Sequence, residues 1–172
     1  MTTFNLTPHE SVIVREHGPE LLEVEGEWGP GGRPPPKHFH PGQDERFEVL
    51  DGTLWARVDG AEHRLSPGDV LDVPRGAVHQ MWNAADVPAR AVWRTSPAGR
   101  TYEWFGALDG LLRSERVGRN GMPSPLAFGA YLEEYGDVIR LAGPQPLVRG
   151  AVRALGAIGR RRGYSPSPSG PG

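Results

Sequence analysis

Three residues, His38, His40 and Glu45, fall within the eight-residue stretch HFHPGQDE, and their types could hold a metal ion. In a strand, side chains two apart share a face, so His38 and His40 can point into one interior. The turn Pro41-Gly42-Gln43-Asp44 would then bring Glu45 back on the next strand. Taken alone, the stretch leans towards a metal site, with a polar loop between two strands as the alternative. Further along, GDVLDVPRGAVHQMWN offers His79 behind a turn held by Pro74 and Gly76, with Asn83 four residues on. Three imidazoles and a carboxylate suit a first-row divalent metal and leave coordination positions open to water or substrate. Such ligands bind as neutral imidazole and ionised carboxylate, so binding should fail in acid. His9, His17 and His63 lie in or near turns or in a short hairpin strand and read as surface residues.

The elements that would have to position these groups are short β-like runs separated by turn signals from about residue 10 to residue 96. Strands are expected at 11–16, 21–28, 37–40, 46–50, 53–58, 62–65, 70–73, 78–82 and 89–95. Asp51-Gly52 and Asp59-Gly60 sit between apolar alternations and predict tight hairpin turns in a meander. By parity, Phe47 and Val49 face inward with Glu45, and Met81 shares a face with His79. Trp28, Trp55, Trp82 and Trp93 are large enough to wall a cavity. Trp28, Phe47, Val49 and Met81 are the expected substrate-pocket residues. Gln80, Arg57 and Arg94 are candidate interior polar groups, whereas Phe39 should pack outside. Arg33 and Lys37 read as solvated side chains near the mouth. Beyond residue 100 the apolar period becomes helical: Tyr102, Phe105, Leu108 and Leu112; then Phe128, Tyr131, Tyr135 and Val138; then Val148, Ala151, Val152, Leu155 and Ile158.

Composition limits the alternatives. The chain has 172 residues and no cysteine, which excludes disulfides and thiolate metal sites. Neither a signal-peptide pattern nor an apolar run of the roughly 18 residues needed to span a bilayer is visible, so a cytoplasmic protein is expected. Charge divides unevenly, at -8 for residues 1–139 and +6 beyond. The basic last helix should dock on an acidic body, a reading favoured over an anionic membrane surface because Gly150, Gly156 and Gly159 weaken it as a free-standing helix. No helix-turn-helix pattern precedes the strands, so no nucleic-acid partner is expected.

Two spaced motifs carry a family resemblance. Gly32, five residues, His38-Phe39-His40, four residues, Glu45, six residues, Gly52 resembles the first cupin motif. Gly68, five residues, Pro74-Arg75-Gly76, two residues, His79, three residues, Asn83 resembles the second. The resemblance implies a mainly β fold: a double-stranded β-helix, or jelly-roll, cupin barrel of the small single-domain bacterial kind. It also implies metal ligands His38, His40, Glu45 and His79. The barrel should occupy residues 1–98, a helical extension of about three helices 99–163, and a disordered tail 164–172. The metal implied is one divalent transition ion, iron first, with manganese, nickel, zinc or copper as alternatives. The implied function is that of an Fe(II)-type dioxygenase of an enol, diketone or catechol-like small molecule, with Glu45 also serving as catalytic base. Alternatives are a non-oxidative metal-dependent isomerase, lyase or cyclase, and a small-ligand-binding cupin without catalysis. Exposed barrel edges make a homodimer the expected assembly.

Overall fold

A computed structural model describes residues 1–114 and 122–164. Among these, eleven strands and three helices are present. The strands are β1 (Thr3–Thr7), β2 (Glu10–His17), β3 (Leu22–Trp28), β4 (His38–Phe39), β5 (Asp44–Asp51), β6 (Leu54–Val58), β7 (Ala61–Leu65), β8 (Val70–Val73), β9 (His79–Trp82), β10 (Ala89–Ser96) and β11 (Arg140–Leu141). The helices are α1 (Thr101–Arg113), α2 (Pro125–Glu134) and α3 (Gln145–Arg161). Six strands form one antiparallel sheet in the order β1-β2-β3-β10-β5-β8, and five form the facing sheet in the order β11-β4-β9-β6-β7. This is the two-sheet jelly-roll arrangement, with three helices following it.

Alternation decides which side chains fill the space between the sheets. Phe47, Val49, Leu71, Val73, Ala89 and Ala91 point inward from the six-stranded sheet, and Leu54, Ala56 and Met81 meet them from the other. All are buried, and burial of such side chains is the main favourable contribution to folding. A second core lies where α1 and α2 pack over Phe4, Leu6, Val12, Leu22 and Val24. Trp93 belongs to both cores.

Three expectations are corrected. Asp51-Gly52 is no hairpin and residues 46–58 are no meander: β5 pairs with β10 and β8, whereas β6 pairs with β7 and β9, so this turn carries the chain from one sheet to the other. Gly52 is required there, since at φ +74° a Cβ would stand 2.4 Å from the Pro88 carbonyl oxygen. The true two-residue hairpin is Asp59-Gly60, both at positive φ, between β6 and β7. A first strand, β1, precedes those expected; its buried Phe4 and Leu6 alternate with exposed neighbours, and Asn5 anchors it to α1 through the Asp109 carboxylate at 2.9 Å. Of the expected interior polar residues, only Gln80 is buried, and it donates to the Pro35 carbonyl on the side away from Met81. Arg57 pairs with Glu62, and Arg94 with Glu23 and Glu48, all on outer faces.

The helices form where the 3.6-residue period begins, with one shift of face. Helix α2 opens with the Ser124 hydroxyl accepting from Ala127 N–H and with Pro125 in the first turn, and it ends at Glu134, before Tyr135 and Val138. In α3 the fully buried residues are Gly156 and Gly159, not Ala151 or Ile158. A Cβ at Gly159 would meet the Leu126 carbonyl oxygen at 2.4 Å, and one at Gly129 would meet Leu155 Cβ at 2.6 Å. The glycines thus bring α3 against α2, and Arg160 seals the contact with Glu133 at 2.6 Å. Tyr164, first residue of the expected tail, packs on the core; residues 165–172 lie outside the described residues. None of the described helices is long and apolar enough to cross a membrane.

Candidate metal centre

His38 and His79 face each other directly across the β4–β9 pair, and His40 follows β4 immediately. The three imidazoles are 4.4–5.4 Å apart between ring centroids. One nitrogen from each lies within 4.8 Å of the others. Glu45 enters from the opposite sheet at the start of β5, as Gln43 fastens the preceding turn to the Ala98 carbonyl and the Thr101 hydroxyl. Its carboxylate lies 3.4 Å from His40 Nε2 and 3.0 Å from His79 Nε2. The stretch HFHPGQDE is therefore no solvated loop: its His38, His40 and Glu45 converge with the distant His79 in an arrangement that could hold a metal ion.

Each imidazole is oriented by a backbone carbonyl. Nδ1 of His38 bonds to Pro36 O at 2.8 Å, Nδ1 of His79 to Ala77 O at 3.1 Å, and Nδ1 of His40 to Val138 O at 2.7 Å. A carbonyl can only accept, so each Nδ1 carries the proton and each Nε2 presents its lone pair. Around Glu45, lone pairs of nitrogen and carboxylate oxygen then converge in a buried space. Its Oε1 accepts from the Trp93 indole N–H at 3.0 Å, and its buried Oε2 stands 3.0 Å from His79 Nε2, which donates to it when His79 is protonated. Such an arrangement calls for a cation between the donors. A first-row ion, with bonds of about 2.1 Å to nitrogen and oxygen, matches the donor chemistry.

The titration behaviour agrees with that chemistry. Burial together with the neighbouring His79 and His40 holds the His38 pKa down at about 3, so His38 is a neutral ligand at ordinary pH. Burial pushes Glu45 upward, but His40, the bond from His79, and His38 outweigh it and bring its pKa to about 2. His79 is opposed in the same way: burial disfavours its cation, yet the Glu45 carboxylate raises its pKa. A metal entering the site competes with a proton at His79.

The four expected pocket residues are all inside the barrel. Trp28, Phe47, Val49 and Met81 are buried in the apolar core between the sheets. Phe47 stacks on Trp93 at 5.3 Å, the indole that holds Glu45. Asn83 contributes by anchoring: buried, it donates to the Trp28 and Val87 carbonyls and accepts from Ala85 N–H. His9 and His17 are exposed, and His63 is half-buried in β7. Lys37 lines a 230 Å³ surface pocket with Arg57, Asp59 and Gln80.

Glu10 escaped the sequence reading. It opens β2 opposite Trp28 and shares parity with the buried Val12. Burial, and then the Glu45 charge, push its pKa up to about 7, against the opposing pull of the Trp28 indole. A glutamate at a strand start resembles any surface carboxylate; parity with Val12 was the available signal.

Comparison with known proteins agrees with this architecture. The cupin domain family model matches residues 24–94. The tetracenomycin polyketide synthase protein TcmJ of Streptomyces glaucescens is 41% identical over 61 residues, spanning 36% of this chain and 41% of that one. An oxidoreductase of Arthrobotrys oligospora is 36% identical over 75 residues, spanning 43% of this chain and 27% of that one. The chain thus covers less than half the length of these curated relatives. Among solved structures, KdgF from Halomonas superposes with a TM-score of 0.52 at 24% identity, over 56% of this chain and 86% of that one. An RmlC-like cupin from Shewanella frigidimarina does so with a TM-score of 0.52 at 20% identity, over 59% of this chain and 87% of that one. With both motifs inside the two-sheet jelly roll and the family model spanning them, residues 24–94 form a cupin domain.

Proposed function

We propose that this protein is a metal-dependent enzyme that oxidises a small enolisable or phenolic molecule, as an Fe(II)-type dioxygenase of an enol, diketone or catechol. The observation that carries the reading is the convergence of three imidazole nitrogens and one ionised carboxylate inside an apolar barrel. A first-row metal held by His38, His40, His79 and Glu45 would supply Lewis-acid and one-electron redox chemistry. Glu45 is ionised at neutral pH, so its oxygens can take a hydroxyl proton from an arriving enol. Trp93 donates to Oε1, and Oε2, beside His79 Nε2, is the oxygen left for that transfer once His79 is deprotonated. Trp28, Phe47, Val49 and Met81, buried in the apolar core of the barrel, exclude water from the space between the sheets. The oxidoreductase among the relatives fits this reading. The test is oxygen consumption by protein reconstituted anaerobically with Fe(II), across a panel of enols, diketones and catechols; no consumption with any of them rejects the oxidative reading.

A non-oxidative reaction, cyclisation or isomerisation of a polyketide-like compound, is the second reading. The similarity to a polyketide synthase protein favours it, as does the protonatable Glu10 beside the barrel core. Turnover that persists without oxygen and with zinc, manganese or nickel in place of iron would select it.

A further inference from the structure

We infer that the helical extension is a working part of the metal centre, because the backbone carbonyl of Val138 positions His40 as a ligand. This rests on the metal-binding reading above and assigns a role to a segment outside the cupin motifs. His38 and His79 are oriented by carbonyls two residues upstream, Pro36 and Ala77, in the segments that lead into their own strands. His40 alone takes its acceptor from far away in the chain, 98 residues on, in the turn between α2 and β11. The bond is buried and 2.7 Å long.

The same turn also holds the strand that carries the ligands. Strand β4 is two residues long and meets β9 through a single pair, His38 with His79. Its other edge is taken by β11, where Arg140 pairs with Phe39 and Leu141 with His38, and Ala142 N–H donates to Lys37 O at 2.9 Å. So short a strand has little register of its own, and the extension supplies it. The turn is itself fixed: Val138 and Ile139 N–H both donate to Tyr135 O at 2.9 and 3.0 Å. Arg100, just before α1, donates to the Glu134 carbonyl at 2.7 Å and to both Asp137 carboxylate oxygens, and lies over the Tyr135 ring. Removing that support frees the His40 ring to rotate and to move its proton to Nε2, the atom that must coordinate. Partners of this kind typically alter metal affinity about 10- to 100-fold.

The experiment uses the full chain, stripped of metal and titrated with zinc against a competing chelator. Arg100→Met loosens the turn, and Ala142→Pro removes the N–H that staples β11 to β4; neither touches a ligand. Each should raise the zinc Kd about tenfold. Arg46→Met, which breaks only the exposed pair with Asp72, should leave it unchanged. Long-range 1H–15N NMR of the metal-free protein reads the tautomers, with the His40 proton on Nδ1 in wild type and shared with Nε2 in Arg100→Met, while His38 keeps its proton on Nδ1. Unchanged zinc affinity in both variants overturns the inference, and so does a wild-type His40 protonated on Nε2, a result that stands even if the variants fail to fold. Failure of wild type to bind zinc, Fe(II) or Mn(II) is a different outcome: it rejects the metal-binding reading itself.

Discussion

The Trp93 indole N–H donates to Glu45 Oε1 at 3.0 Å, from the strand that lies beside β5. This bond fixes the rotation of the carboxylate that faces the three imidazoles. Trp93→Phe keeps a large aromatic ring against Phe47 and Phe105 but deletes the donor. The expected result is a zinc or Fe(II) affinity about tenfold weaker, measured by chelator competition, with the fold retained by circular dichroism.

Burial disfavours the His79 cation, but the Glu45 carboxylate outweighs it and raises the His79 pKa, so below that pKa the metal-free pair holds a proton that an arriving ion must displace. Calorimetric zinc titrations in buffers of different ionisation enthalpy should show proton release, about one per ion at a pH below the His79 pKa. As pH falls further affinity should drop, since protons then compete more strongly at His79. An affinity independent of pH between 5 and 8 would contradict this proton competition.

Glu10 makes a prediction of the opposite sign. Its folded-state pKa, about 7, lies above the ordinary 4.5, so the folded protein binds this proton more tightly than the unfolded chain does. The stability associated with protonated Glu10 is full below pH 4.5 and lost as pH rises through about 7. Glu10→Gln should therefore stabilise the metal-free protein at pH 8 by about 1–3 kcal/mol relative to wild type. The gain should shrink towards pH 4.5 in urea-denaturation curves.

Asn83 closes the second motif without touching the metal ligands. Its side chain satisfies two carbonyls and one N–H in a buried turn, and Asn83→Ala strands all three. A loss of about 2–4 kcal/mol in urea-denaturation stability is expected. Zinc affinity of the folded fraction should stay close to wild type.

Helix α3 is held to α2 by absent side chains. At Gly159 any Cβ collides with the Leu126 carbonyl, so Gly159→Val must push the helices apart. A drop of about 2–3 kcal/mol in stability is expected, reported by hydrogen exchange in residues 145–161.

The convergence of His38, His40, Glu45 and His79 was legible because metal chemistry restricts residue type and two separate motifs had to agree. Strand parity likewise placed Phe47, Val49 and Met81 correctly, since a two-residue period leaves little freedom once one inward residue is known. The Asp51-Gly52 turn was misread because a local turn signal does not say which sheet the next strand joins. Gly156 and Gly159 were read as weakening a free helix, whereas their packing value depends on a neighbour that the helix does not encode. The Val138 carbonyl was invisible for a simpler reason: every residue has one, and only the fold decides which one meets His40.

His38 and His79 belong to one sheet, with His40 directly after β4 of that sheet, and Glu45 belongs to the other. An ion shared among them would rivet the two halves of the barrel, closing a loop in the chain that must be broken before the sheets can part. The loaded protein should then resist proteolysis and heat chiefly through slower unfolding, and its lifetime should depend on how fast the ion leaves.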